Sequence, residues 1–225
     1  MSKHVTGTVI VLVLLMLPRL AGAQPSPFVP GGAGNELSHG YVEGFADSTF
    51  GNVTSQAYGG EIGITFKRDY QVFIEGGQIR NVATSDIGNS AQLIAAALSQ
   101  TQADVAYSVK QPVTFFDLGI KYVLPTSGHA RPYVLIGGGV ARVKQDVSFT
   151  IGGVDVTGNL QQYGVQLGSD LSGSFTKAML ALGGGVLVPL WPHIGLDLQY
   201  RYGRIFAEDQ GINTNRAGVG LMIAF

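Results

Sequence analysis

Hydrophobic and polar positions alternate along the last twelve residues of the chain, 214–225. Every second residue from Phe225 back to Ala217 is apolar. The intervening positions include glycines and Arg216. A period of two residues is typical of a β-strand with one apolar face. The pattern predicts a terminal strand whose apolar face meets lipid, because an exposed terminal phenylalanine is unfavourable in water.

The same alternation recurs in seven earlier segments, which are separated by turn-forming residues. With the terminal segment they make eight predicted strands, at residues 39–50, 56–66, 70–80, 112–124, 132–144, 175–190, 193–206 and 214–225.

Short and long connections alternate between these segments. The short ones are residues 67–69, 125–131 and 191–192, and the long ones are residues 51–55, 81–111, 145–174 and 207–213. Transmembrane barrels have short periplasmic turns and long external loops. The sequence therefore predicts an all-β fold, an eight-stranded antiparallel up-and-down transmembrane β-barrel with both ends of the chain on the periplasmic side.

The alternation alone does not say which face is outside, because a soluble lipocalin-like barrel has the same pattern with its apolar side inward. Two observations favour a membrane barrel. Charged residues make up only 13% of the chain, too few for a water-exposed wall. Aromatic residues also gather at the short-turn end, as in an interfacial girdle. They are Phe66, Tyr70, Tyr122, Tyr133, Trp191 and Phe225.

The start of the chain predicts export. Lys3 and His4 precede an apolar run of about a dozen residues, and Ala21-Gly22-Ala23 then supplies a small-x-small cleavage site. We expect a signal peptide at residues 1–23, a periplasmic linker at 24–38 and the barrel at 39–225. No other apolar stretch reaches the roughly 20 residues of a spanning helix. The chain has no cysteine, and its net charge of −1 gives no electrostatic reason to expect nucleic-acid binding.

The inward face of the predicted barrel carries a balanced set of acids and bases. The interior of an eight-stranded barrel is only just wide enough for side chains, so these groups must meet across the axis. Two interpretations remain open: a static polar filling, and a gated ion path through exchangeable salt bridges. The predicted lumen charge network comprises Glu43, Glu61, Glu75, Asp117, Lys121, Arg142, Lys177, Asp197, Arg201 and Arg216.

Catalysis is not expected. The three histidines after the signal peptide, His39, His129 and His193, all fall at or beside periplasmic ends, and no metal-binding spacing occurs. The triple glycines at 137–139 and 183–185 lie inside strands and open no helix, so they are not phosphate loops. We therefore predict no catalytic residue, no metal and no cofactor.

Two long loops have patterns of their own. Residues 86–102 are helix-like, with Asn89 or Ser90 as N-cap and one apolar side formed by Leu93, Ile94, Ala97 and Leu98. This helix could pack on the barrel rim as a lid or bind a partner. Around Gly152-Gly153 the sequence predicts a hairpin that extends the fifth and sixth strands above the membrane. An extracellular partner would meet loops 81–111 and 145–174.

The segments PYVLIGGGVARV (132–143) and LDLQYRYGRI (196–205), together with Phe225, resemble the small outer-membrane β-barrel family of opacity-type surface proteins and OmpA-like transmembrane domains. The resemblance implies a place in the outer membrane of a Gram-negative-type bacterium, contact with its lipids, and Phe225 as a signal for the barrel-assembly machinery. It also implies a structural or adhesion-like surface role, with a narrow porin-like channel as the alternative.

Overall fold

The computed structural model describes residues 40–67, 69–127, 129–168, 171–207 and 211–225. The predicted signal peptide, the linker and His39 lie outside the described residues. The elements in chain order are β1 (Gly40–Phe50), β2 (Ser55–Lys67), β3 (Tyr70–Ile79), α1 (Ser85–Leu98), β4 (Val105–Lys110), β5 (Val113–Val123), β6 (Arg131–Ile151), β7 (Val154–Asp155), a 3-10 helix (Thr157–Tyr163), β8 (Ser172–Trp191), β9 (Ile194–Ile205) and β10 (Ile212–Ala224).

Eight of these strands close into a ring in the order β1-β2-β3-β5-β6-β8-β9-β10. All neighbours are antiparallel, and β10 pairs with β1 to complete the ring. The prediction of an eight-stranded antiparallel up-and-down barrel is confirmed. No helix in the described part of the chain is long and apolar enough to cross a membrane.

The strand boundaries differ from the predicted ones mainly at the long-loop end. β6 continues to Ile151 rather than ending at Lys144, and β8 begins at Ser172 rather than at Phe175. β4 lies in a segment predicted to be a loop, and it pairs with the added part of β6. Pairing between distant segments, which no local pattern reports, therefore extends the sheet beyond the ring.

The wall of the ring is apolar outside and partly polar inside. On β5, the outward side chains of Phe116, Leu118 and Ile120 are about half exposed, whereas Asp117 and Lys121 on the inward face are fully buried. A water-soluble barrel would have the reverse arrangement, because exposed apolar surface of this extent is unfavourable in water.

Most of the predicted aromatic girdle lies on the outer wall at the short-turn end. Tyr70 contacts the rings of Phe66 and Tyr122, and Trp191 is exposed. The prediction was wrong for Tyr133, which is buried and donates a hydrogen bond of 2.7 Å to Asp197. Its position in the alternation of β6 points it inward.

Aromatic rings fill the inside of the barrel by lying over glycines. Each of five inward-facing rings stands directly opposite a glycine on the next strand, so the ring occupies the space that a larger side chain would take. The pairs are Tyr41 with Gly63, Phe45 with Gly59, Phe73 with Gly119, Phe115 with Gly77, and Tyr133 with Gly185.

An external subdomain lies at the long-loop end and has its own apolar core. We give this name to residues 81–111 and 144–168 together with Leu171. Buried side chains of α1 pack with Val147 and Phe149 of β6 and with Leu160 of the 3-10 helix. This cluster shares no buried residue with the two apolar clusters of the ring, although Val82 at the start of the first long loop belongs to one of those two.

The helix predicted in the first long loop exists, but its boundary and apolar face differ from the prediction. Its N-cap is Thr84, rather than Asn89 or Ser90. The buried residues are Ile87, Ala91, Ala95 and Leu98. Leu93 is 72% exposed because the side of the helix formed by these four residues, and not the side of Leu93, packs against β4 and the side chains of Val147 and Phe149.

The predicted hairpin at Gly152-Gly153 also exists. Both glycines have positive φ, and Ile151 pairs with Val154 across the turn. It joins β6 to the two-residue strand β7. The fifth ring strand, β6, extends as predicted as far as the turn at Ile151, whereas the sixth, β8, extends only to Ser172.

Candidate functional site: the charged barrel interior

Four carboxylates stand side by side on neighbouring strands inside the barrel. Glu43 of β1 pairs in register with Glu61 of β2, Glu61 with Glu75 of β3, and Glu75 with Asp117 of β5. All four are buried. Because like charges directly opposite each other destabilise a sheet, this carboxylate row requires positive charge to face it.

Two arginines from the other wall supply that charge. Arg201 of β9 and Arg216 of β10 are register partners and are fully buried. Arg201 lies 2.8 Å from Glu61 and 3.3 Å from Glu75, and Arg216 lies 2.8 Å from Glu75. The arginines therefore cross-link β2 and β3 to β9 and β10 through the axis of the barrel.

A buried lysine completes the network near the short-turn end. Nζ of Lys121 lies 2.7 Å from Glu61 and 4.6 Å from the centre of the Tyr133 ring. Tyr41 also donates a hydrogen bond to Glu61. Glu61 thus has three partners from three other strands, which makes it the most connected acid of the interior.

Asp47 belongs to the network, although it is not among the members predicted from the sequence. It is buried, lies 3.4 Å from Arg216 and accepts a hydrogen bond of 3.1 Å from Gln199. The signal for it was present in the sequence, because Asp47 shares the inward register of Glu43 on the same strand.

Acids outnumber bases among the buried residues that the structure describes. Six carboxylates (Glu43, Asp47, Glu61, Glu75, Asp117 and Asp197) face three cations (Lys121, Arg201 and Arg216). Both oxygens of Glu43 and of Asp117 have no hydrogen-bond partner in the described part of the chain. The expected balance of acids and bases therefore does not hold inside the barrel.

Two predicted members lie outside the buried charged layer. Arg142 is exposed on the outer wall, where it donates a hydrogen bond of 3.2 Å to Ser174, so its predicted inward position was wrong. It follows the buried Ala141, and successive strand residues point to opposite faces. Lys177 has the inward register of Met179 and Ala181 but lies half-buried at the long-loop end.

Apolar layers lie on both sides of the charges. Along β10, Met222 belongs to the apolar cluster nearest the short turns, Arg216 to the charged layer, and Ile212 to the apolar cluster nearest the long loops. Along β3 the same order runs from Phe73 through Glu75 to Ile79.

The remaining predicted features lie at the short-turn end. Phe225 donates its backbone N–H to Gly40, and its side chain is 69% exposed. His129 and His193 lie in the connections that precede β6 and β9. The described residues include no group of three His, Cys, Asp or Glu side chains that could hold a metal ion.

Comparison with known proteins agrees with this architecture. The family model "Outer membrane protein beta-barrel domain" matches residues 8–225. No curated protein matches the sequence. Neisserial surface protein A has a similar structure, with a TM-score of 0.51 and 14% identity over 83% of this chain and 96% of that one.

Two further solved structures are less similar. The N-terminal barrel domain of OprF from Pseudomonas aeruginosa has a TM-score of 0.45 and 18% identity, over 83% of this chain and 97% of that one. Ail, the attachment invasion locus protein of Yersinia pestis, has a TM-score of 0.41 and 15% identity, over 82% and 97%. The match over residues 8–225 shows that the chain belongs to the outer membrane protein β-barrel family and resides in the outer membrane of a Gram-negative-type bacterium.

Proposed function

We propose that this protein is a non-conducting surface protein whose barrel anchors the external subdomain, and that this subdomain contacts a partner outside the cell. The observation that carries the proposal is the separate apolar core of the subdomain. A loop that only connects two strands needs no core of its own, whereas folded external structure is typical of loops that carry a function.

The filled interior supports the absence of conduction. An ion that crossed the barrel would have to pass apolar layers at both ends of the charged layer, and desolvation in such surroundings is costly. The five ring-over-glycine pairs also occupy the interior, which in an eight-stranded barrel is only just wide enough for side chains.

Planar-bilayer recording of the refolded protein tests this part of the proposal. We expect no conductance steps above those of a protein-free bilayer. Steps of a reproducible size, abolished when the protein is denatured, would instead support a narrow porin-like channel. The carboxylate oxygens of Glu43 and Asp117 favour that second candidate, since they have no hydrogen-bond partner among the described residues and such polar groups can be hydrated in a conducting interior.

Surface display is tested separately by cysteine labelling, because the chain has no cysteine of its own. Gln92→Cys lies on the exposed side of α1, and Ser127→Cys lies in the short turn before β6; both residues are exposed. In intact cells, a membrane-impermeant maleimide should label Gln92→Cys and leave Ser127→Cys unlabelled until the outer membrane is permeabilised. The reverse labelling pattern would place the subdomain in the periplasm and refute the proposal.

A further inference from the structure

Three arginines point outward from the barrel at nearly the same height. They are Arg80, which directly follows β3, Arg142 in β6 and Arg204 in β9. They lie ten, eleven and ten residues after the first residues of these strands, which are Tyr70, Arg131 and Ile194. At a rise of about 3.3 Å per residue and a strand tilt of about 40°, this is roughly 25 Å above the short-turn end. The apolar band of an outer-membrane barrel is about 25 Å tall. The arginines therefore lie at the external edge of the membrane.

The outward side chains of the barrel wall change from apolar to charged at this level. Below Arg142 on β6, the outward residues Ile136 and Val140 are apolar and about half exposed. Below Arg204 on β9, the outward residues Leu198 and Tyr200 are similar. The change from apolar side chains to a guanidinium within a few residues matches the boundary between acyl chains and headgroups.

Each guanidinium is oriented by an uncharged neighbour. Arg80 donates to Gln56 at 3.0 Å, Arg142 to Ser174 at 3.2 Å and Arg204 to Asn213 at 2.8 Å. For Arg80 and Arg142, no carboxylate of the described residues lies within ion-pair distance. Their positive charge is therefore not neutralised by those residues and remains available to an anion.

The spacing around the barrel also has a pattern. In the ring, β3, β6 and β9 are separated from one another by single strands, β5 and β8. Neighbouring strands lie about 4.8 Å apart, so successive arginines stand on the order of 10 Å apart along the wall. Guanidinium groups bind phosphate oxygens in a bidentate manner, and they are less strongly hydrated than ammonium groups.

We propose that Arg80, Arg142 and Arg204 form a binding strip for the phosphate groups of anionic lipid headgroups in the external leaflet. The strip fixes the height of the barrel in the membrane and holds a shell of phosphorylated lipids beside the external subdomain. This inference does not depend on whether the subdomain binds a partner or the barrel conducts ions.

Electron paramagnetic resonance of spin-labelled lipids tests the proposal on the full protein refolded in phosphatidylcholine vesicles. The measured quantity is the preference of the protein for spin-labelled phosphatidic acid over spin-labelled phosphatidylcholine with the same chains. We expect the wild type to prefer phosphatidic acid, and the preference to weaken at high salt, since exposed charges are screened. In the double variant R80Q/R142Q it should fall by up to about fivefold for each arginine lost.

The matched control removes the same charge at the opposite rim. Lys67 and Arg131 lie at the short-turn end, and the double variant K67Q/R131Q should retain most of the preference. Heat-modifiable gel mobility verifies that both variants fold. The proposal is overturned if the wild type shows no preference, if R80Q/R142Q keeps it, or if K67Q/R131Q loses as much. Displacement of the labelled lipid by inorganic phosphate at the same molar concentration would also overturn it, because the site would then recognise free phosphate rather than a lipid surface.

Discussion

Replacing Arg201 by methionine tests the charged interior most directly. The change keeps most of the length of the side chain and removes its charge. Among the described residues, Glu61 would then keep only Lys121 as a charged partner, and Glu75 only Arg216. The described buried residues would then comprise six carboxylates and only two cations.

The expected cost follows from burial and geometry. The side chains of Arg201, Glu61 and Glu75 are at most 2% exposed, so solvent screens their interactions little. Removing one partner of a buried ion pair leaves an uncompensated charge and typically costs about 3–5 kcal/mol. We expect Arg201→Met to lower the free energy of unfolding by that amount, because the remaining partners of both acids are already engaged.

Urea unfolding in lipid vesicles, followed by heat-modifiable gel mobility, measures the loss. Lys110→Met is the matched control, since Lys110 is exposed in the external subdomain, and its effect should stay within about 0.5 kcal/mol. A loss below about 1 kcal/mol for Arg201→Met, with conductance unchanged, would refute the inference that these contacts are dry and stabilising. A small loss with new conductance would show that water fills the interior. In a double-mutant cycle with Glu75→Gln, the two effects should not be additive.

Three further predictions concern the wall and the processing of the chain. Leu118 lies on the lipid face near mid-membrane, and Leu118→Arg should lower the free energy of unfolding by about 2–4 kcal/mol in the same assay. Thr114 lies four residues nearer the external rim on the same strand, and Thr114→Arg should lower it by only about 0–1 kcal/mol. Gly119→Ala should destabilise the barrel by about 1–3 kcal/mol, because the added Cβ would meet a backbone oxygen and a buried aromatic ring. In the control Gly44→Ala the added Cβ meets open space, so this variant should be nearly neutral. Equal effects of the two substitutions would refute the ring-over-glycine packing. Intact-mass measurement should give a mature chain that begins at Gln24, and a chain that retains residues 1–23 would refute the predicted export signal.

The sequence by itself determined the ring of strands. Alternation with a period of two depends only on local geometry and on which face meets lipid, so all eight ring strands could be recognised segment by segment. The same alternation placed Glu61, Glu75, Asp117 and Arg201 on one inward face. It also places Asp47 on the inward face with Glu43, and it places Arg142 on the outer wall because Arg142 follows the inward Ala141.

Only the tertiary structure decided which of these groups meet. The register of each strand pair sets the carboxylate row, and closure of the ring brings Arg201 and Arg216 across to it; both are properties of long-range pairing. The external part of β6 likewise forms because it pairs with β4, a segment whose six residues carry too little pattern to predict a strand. Side-chain alternation is a local property, whereas the choice of strand partner and the register come from hydrogen bonds between segments far apart in the chain. For that reason, the interior network and the external subdomain could not be derived from the sequence alone.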